Sequence, residues 1–174
     1  CIDTSMGMTP LAGVLMGTRC GDIDPAVVTY VMKKTGMTPD EMSDLLNKQS
    51  GVLGISGISS DIREVEAGIA AGNERAKLAM EMYDYRIKKY IGAYAAVMGG
   101  VDIVVFTAGV GEHQWDVRKG ATEDLEFMGI KLDQEKNRKN CGEEEIISTP
   151  DSKVKVVVVP TDEELLIASD TLDL

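Results

Sequence analysis

Val101 to Arg118, VDIVVFTAGVGEHQWDVR, is the stretch whose reading decides the fold. Ile103 to Phe106 is a run of Ile, Val and Phe long enough for one buried strand. It breaks at Thr107-Ala108-Gly109-Val110-Gly111, and a helix is expected from about Asp116. Strand, glycine turn, helix is the repeating unit of open α/β sheets, in which ligands bind beyond the carboxyl ends of the strands. Gly109 and Gly111 carry no Cβ, so a ligand can come close to their backbone. Glycines that merely let a strand turn into a helix give the same pattern, and a short glycine motif does not decide between the two.

Other segments extend this reading in both directions. Val154 to Val159 forms a second apolar run ended by Pro160. Thr161 and Glu164 have the spacing of a capping box, which leaves Glu163 free to point elsewhere. Asp24-Pro25 and Thr38-Pro39-Asp40-Glu41 open two helices with cap and proline in the favoured places. Asn73 starts the longest helix, with Ala79, Met82, Tyr83, Ile87, Tyr90, Ile91, Tyr94 and Met98 at three- and four-residue steps. It should run about 35–40 Å. Its Met and Tyr stripe reads as core or subunit interface. Ser50 to Ser60, SGVLGISGISS, reads as a Gly/Ser loop, and Asp61, with Glu64 as box partner, as the cap of the helix after it. Cys1 to Met8 reads as a strand end, Thr9 to Met16 as a short helical stretch, and Lys131 to Glu145 as charged and solvated. Asp116 is expected to cap a helix that Gly129 stops.

Composition bounds the function. The 174 residues suffice for one domain with a full core. A net charge of -11 argues against a nucleic-acid backbone as partner. It leaves room for a small anionic substrate, because a local arginine and a metal ion outweigh the global field. No apolar run approaches the roughly 20 residues that span a bilayer. Cys1, Cys20 and Cys141 lack metal-ligand spacing, and three cysteines fit a reducing, cytoplasmic setting. An opening on Cys-Ile-Asp-Thr reads as a piece of a longer protein, entered at the end of a strand.

Four places have residue types suited to chemistry. Arg19 lies in a loop bracketed by Gly17 and Gly21, where its planar fork suits a carboxylate or phosphate. Pairing with Asp22 or Asp24 is the alternative. Asp61 and Arg63 suit a ribose hydroxyl and a base, or else a helix cap and a surface arginine. Glu163 at a helix start suits Mg²⁺ or merely complements the helix dipole. His113, the one histidine, reads as a surface residue.

Taken in order, MGTRCGDIDP (Met16 to Pro25), SGISSDIREVE (Ser56 to Glu66), FTAGVGEH (Phe106 to His113) and VVPTDEELLIA (Val158 to Ala168) resemble the acetate kinases. These belong to the superfamily of actin and the sugar kinases. The resemblance implies an α/β, ribonuclease H-like domain of actin-like ATPase architecture, with a mixed sheet flanked by helices and truncated at its N-terminal strands. Residues 1–174 would then be the C-terminal nucleotide-binding domain of a two-domain kinase. It also implies reversible transfer of the ATP γ-phosphoryl group to acetate, giving acetyl phosphate and ADP with Mg²⁺.

By the same resemblance Arg19 is the catalytic arginine. Asp61, Ile62 and Arg63 belong to a nucleotide-contacting segment, Ala108, Gly109, Val110, Gly111 and Glu112 line the adenosine site, and Glu163 holds Mg²⁺. His113 stands where the family usually has Asn. A homodimer is implied, as is an N-terminal half carrying further catalytic residues, so the chain alone is expected to be inactive. A kinase for propionate or butyrate, or a non-catalytic nucleotide-binding or dimerisation module, are the alternatives.

Overall fold

The computed structural model describes residues 1–172, the side chain of Glu163 excepted. They gather into two compact units, residues 1–98 and the described residues from 99 onward.

The first unit is helical. Helix α1 (Pro25–Thr35) begins as expected, with the Asp24 side chain accepting from the Ala26 amide, and ends at left-handed Gly36. Helix α2 (Pro39–Lys48) has the full capping box between Thr38 and Glu41. Residues 50–60 depart from the expected loop, because Gly51–Ser56 form a short helix, α3. Its Gly51 and Val52 are buried, so packing compensates for the poor helix propensity of Gly and Ser. Helix α4 (Ile62–Ala70) follows, capped by Asp61 through the Arg63 amide rather than through a box with Glu64. Helix α5 (Glu74–Met98) packs against both α3 and α4.

Ala76 and Ala79 on α5 are fully buried, as are Val52 and Val65 opposite them. Small residues on one helix let its neighbours approach closely. Residues 1–8 form no strand, and residues 9–16 form turns rather than a helix.

The second unit holds a three-stranded mixed sheet. Strand β1 (Ile103–Phe106) pairs in parallel with β3 (Lys155–Val158), register Phe106 to Val158, and β2 (Glu145–Ile146) pairs antiparallel on the other side. The central β3 buries Val156 and Val158 completely. Strand β1 is less buried than its composition predicts. Ile103 and Val105 share with Lys155 and Val157 the less covered face of the sheet and are about half exposed, while Phe106, on the other face beside Val158, is buried.

After β1 the chain turns directly into a short helix, α6 (Ala108–His113), and then into α7 (Trp115–Thr122). Asp116 lies inside the first turn of α7 rather than at its cap, which is Gln114. Helix α7 ends at Thr122. A single 3-10 turn, Glu126–Met128, then leads to left-handed Gly129.

The charged 131–145 segment contains α8 (Gln134–Lys139), and its Asn137 and Asn140 are buried. They meet Arg118, the largest wholly buried side chain among the described residues. Its Nε donates to Asn137 Oδ1, Nη1 to the carbonyls of Gly111 and Glu112, and Nη2 to those of Asn137 and Asn140, all within 2.7–3.0 Å. All five guanidinium N–H groups thus meet neutral acceptors. Burial pulls the Arg118 pKa below its ordinary value. The last helix is α9 (Glu163–Leu172).

Candidate functional site

The singled-out residues fall into two groups, one in each unit. In the first unit Arg19 sits on a loop laced to its neighbours by backbone hydrogen bonds. Met16 N donates to Arg19 O at 3.0 Å, Cys20 N to Leu46 O at 3.0 Å and Ser50 N to Thr18 O at 2.9 Å. The first turn of α3 adds Val52 N to Met16 O and Leu53 N to Gly17 O, both 2.9 Å. Gly51 permits this approach: at φ +61, a Cβ there would stand 2.1 Å from Met16 O and 2.7 Å from Arg19 O. Gly51→Ala should therefore combine left-handed strain with overpacking and lower stability by at least about 2–3 kcal/mol, readable in a urea melt.

Asp22 and Asp24, the two carboxylates near Arg19 in sequence, are both engaged elsewhere. Asp24 caps α1. Asp22 accepts from the Gly13 amide at 2.8 Å, from the Tyr90 hydroxyl at 2.6 Å and from Arg86 at 3.4 Å. The Arg19 guanidinium is left half-buried at the edge of a cavity of about 270 Å³, with Pro10, Ala12, Val14, Met16 and Tyr83 among its lining residues. The sequence reading missed this apolar lining, because its residues are scattered over a turn and a distant helix without periodicity.

The hydroxyl that Tyr90 donates to Asp22 holds the Asp22 carboxyl below its ordinary range and pushes Tyr90 up to about 12. A tyrosine whose folded pKa is raised stabilises fully below its unfolded value, near 10.0, and loses that contribution as pH climbs through about 12. Asp22, with a lowered pKa, stabilises above its ordinary 3.8 and loses the effect as pH falls through the depressed value. Denaturant melts from about pH 8 to 12 should show wild type losing more stability than Tyr90→Phe.

Asp61 and Arg63 lie in the same unit. Gly17 packs on Ser60, with its absent Cβ only 2.9 Å from Ser60 O, so the Arg19 loop and the start of α4 adjoin. Asp61 caps α4 and grips Arg63 with both carboxylate oxygens, at 3.0 and 2.5 Å. That pairing lowers the Asp61 pKa and raises that of Arg63. Arg63 remains largely exposed, and Ile62 is half-buried between the pair.

In the second unit residues 107–112 join the corner after β3. Ala108 takes φ +58, an uncommon left-handed conformation. It is held by Thr161, whose hydroxyl accepts from the Ala108 amide at 3.2 Å and also meets the Thr107 hydroxyl. Thr161 thus bridges two turns rather than capping α9. The capping contact comes from Asp162, which accepts from Leu165 N at 3.0 Å.

Glu112 is 9% exposed, and its Oε1 accepts from Thr161 N at 2.8 Å. Its carboxylate therefore ties the two corners together. The two glycines differ. A Cβ on Gly111 would stand 3.2 Å from the Phe106 backbone, whereas one on Gly109 would meet nothing within 4 Å. Gly111 serves packing, and Gly109 presents open backbone. His113 Nδ1 donates to Cys141 O at 3.1 Å, which keeps it at the surface.

Glu163 begins α9, with its side chain outside the described residues. Among the described residues no group of three His, Cys, Asp or Glu is set to hold a metal ion, and no helix is long and apolar enough to cross a membrane. Mg²⁺ commonly takes one or two carboxylates plus phosphates and water, so a lone glutamate fits its donor chemistry without forming a centre by itself.

Comparison with known proteins places this geometry. A family model described as the acetokinase family matches residues 1–169. The acetate kinase of Bacteroides thetaiotaomicron is 67% identical over 174 residues, covering 100% of this chain and 44% of that protein. The crystal structure of Porphyromonas gingivalis acetate kinase superposes with TM-score 0.93 at 60% identity, over 97% of this chain and 42% of that one. A propionate kinase from Francisella tularensis gives TM-score 0.90 at 41% identity, over 99% and 44%. The chain thus spans less than half the length of these relatives. The fold is that of the actin-like ATPases, as expected, with a small mixed sheet flanked by helices. On the match across residues 1–169, the chain belongs to the acetokinase family.

Proposed function

We propose that this chain supplies the C-terminal, nucleotide-binding part of a two-domain acetate kinase. The observation that carries the reading is Arg19, free of any carboxylate among the described residues and set beside an apolar cavity of about 270 Å³. A short acyl chain suits the apolar walls, and the guanidinium suits the anionic groups that react beside it. In the reaction a carboxylate oxygen of acetate attacks the γ-phosphorus of ATP. The bond from that phosphorus to the β–γ bridging oxygen breaks, ADP leaves, and acetyl phosphate forms. Such transfers need positioning and positive charge around the equatorial oxygens more than covalent help. Arg19 supplies that charge.

Asp61, Ile62, Arg63 and the Ala108–Glu112 segment contact the nucleotide, with Gly109 offering the closest approach to backbone. Glu163 is the residue that would hold Mg²⁺, which when bound neutralises phosphate charge. A homodimer belongs to the same reading and suits the exposed Leu78, Met82 and Tyr85 of α5. A cytoplasmic setting suits the three free cysteines.

The cavity is roomier than acetate requires, and the Francisella relative is a propionate kinase, so propionate is the second reading. Formation of acyl phosphate from ATP by the full-length protein, with acetate, propionate and butyrate compared by kcat/KM, tests both. One methylene in such a pocket is worth about 1–3 kcal/mol, a ratio easily measured. Absence of turnover with all three acids would favour the non-catalytic module. The chain alone is expected to be silent in the same assay.

A further inference from the structure

We infer that Asp22, held by Arg86 and Tyr90 of α5, is the positioning residue that fixes the Arg19 loop against the cavity wall. The inference rests on the reading of Arg19 as the catalytic arginine. Asp22 closes the loop at its far end: its amide donates to Gly13 O at 2.9 Å, and its Oδ1 accepts from Gly13 N at 2.8 Å. The loop is thereby tied into a ring whose other polar ends all point to one helix. Tyr90 donates to Asp22 Oδ2 at 2.6 Å, Arg86 Nη1 reaches the same oxygen at 3.4 Å, and Arg86 Nη2 donates to Asp22 O at 3.1 Å.

Helix α5 contributes to both sides of the arrangement. Tyr83 and Ile87 line the cavity beside Arg19, and Arg86 and Tyr90 hold Asp22. Residues 83, 86, 87 and 90 recur at three- and four-residue steps, so wall and anchor adjoin along one rigid helix. Distance between the arginine and the cavity wall is therefore set through Asp22. The same contacts engage Asp22 with Arg86 and Tyr90, which leaves the Arg19 fork available to substrate.

The test uses the full-length protein. Asp22→Ala, Asp22→Asn and Tyr90→Phe are each made in the wild type and in an Arg19→Ala background. kcat and KM are measured for ATP and acetate, with thermal melts alongside. Displacement of a catalytic group by about 1 Å costs about 10²-fold. Asp22→Ala should therefore lower kcat by about that factor while KM for ATP changes by less than about twofold. Asp22→Asn, which can still accept from the Gly13 amide but can meet the Tyr90 hydroxyl only as a donor, and Tyr90→Phe should lose less.

None of the three should reduce the residual rate of Arg19→Ala further, because a positioning residue acts only through the group it positions. Should Asp22→Ala fail to fold, the two milder variants read the same coupling. An unchanged kcat in folded Asp22→Ala, or an equal fold-loss with and without Arg19, would overturn the inference. A wild-type rate in Arg19→Ala alone would instead remove the reading beneath it.

Discussion

Arg19→Ala in the full-length protein should lower kcat for acyl phosphate formation by at least about 10³-fold, with little change in thermal stability. An arginine that stabilises charge on a phosphoryl group in flight is worth about 10³–10⁵ in rate. Stability should hold because the Arg19 side chain does no folding work visible in the structure. The loop is fixed by its backbone and by Asp22, and the guanidinium makes no hydrogen bond or ion pair among the described residues. Arg19→Lys separates charge from shape: it keeps the cation but loses the planar fork, so a partial rate is expected. A folded Arg19→Ala protein with kcat within about tenfold of wild type would falsify the catalytic assignment.

The local punctuation of this chain was legible in its sequence wherever one residue type had one physical job. Asp24-Pro25 and the Thr38/Glu41 box start helices where expected, and β1 and β3 lie within one or two residues of the apolar runs that announced them. Misreadings arose where tertiary contacts outweighed composition. Gly51 to Ser56 looks like a loop because Gly and Ser are poor helix formers, yet its backbone amides meet the Arg19 loop and Val52 is fully buried. Thr161 has the spacing of a cap but bridges to Thr107 and Ala108, and Asp162 caps instead.

The candidate site residues stood out by type, but the partners that surround them did not. Arg19 stood out as an arginine between glycines, whereas its freedom from Asp22 depends on Tyr90 and Arg86, more than sixty residues away. Glu112 resembled a ligand contact, and its burial against Thr161 comes from the parallel pairing of two strands distant in sequence. Arg118 gave no signal. A lone arginine in a helix reads as surface, and only the fold reveals the carbonyls waiting for it.

Arg118→Ala should destabilise the protein by about 3–5 kcal/mol, a large single-site effect that comes from leaving buried neutral acceptors without a donor. The deletion leaves four backbone carbonyls and the Asn137 amide oxygen without their donor, in a place where Arg118 itself is 0% exposed. Each unpaired buried acceptor costs about 1–3 kcal/mol, and water entering the vacated space offsets part of that sum. Arg118→Met separates the two contributions, since it restores much of the side-chain volume but none of the donors. If hydrogen bonding dominates, Met should recover less than about half of the loss in a urea melt; a full recovery would mean that Arg118 acts by packing alone. The consequence reaches the 107–112 turn, because two of the orphaned carbonyls belong to Gly111 and Glu112, and Glu112 in turn holds Thr161. In wild type the guanidinium joins α6, α7 and α8 in one hydrogen-bonded group, so the turn should lose order together with the whole unit. In Arg118→Ala those ties are gone, and amide exchange in the 107–112 turn should speed up at temperatures below the melt of the rest of the unit.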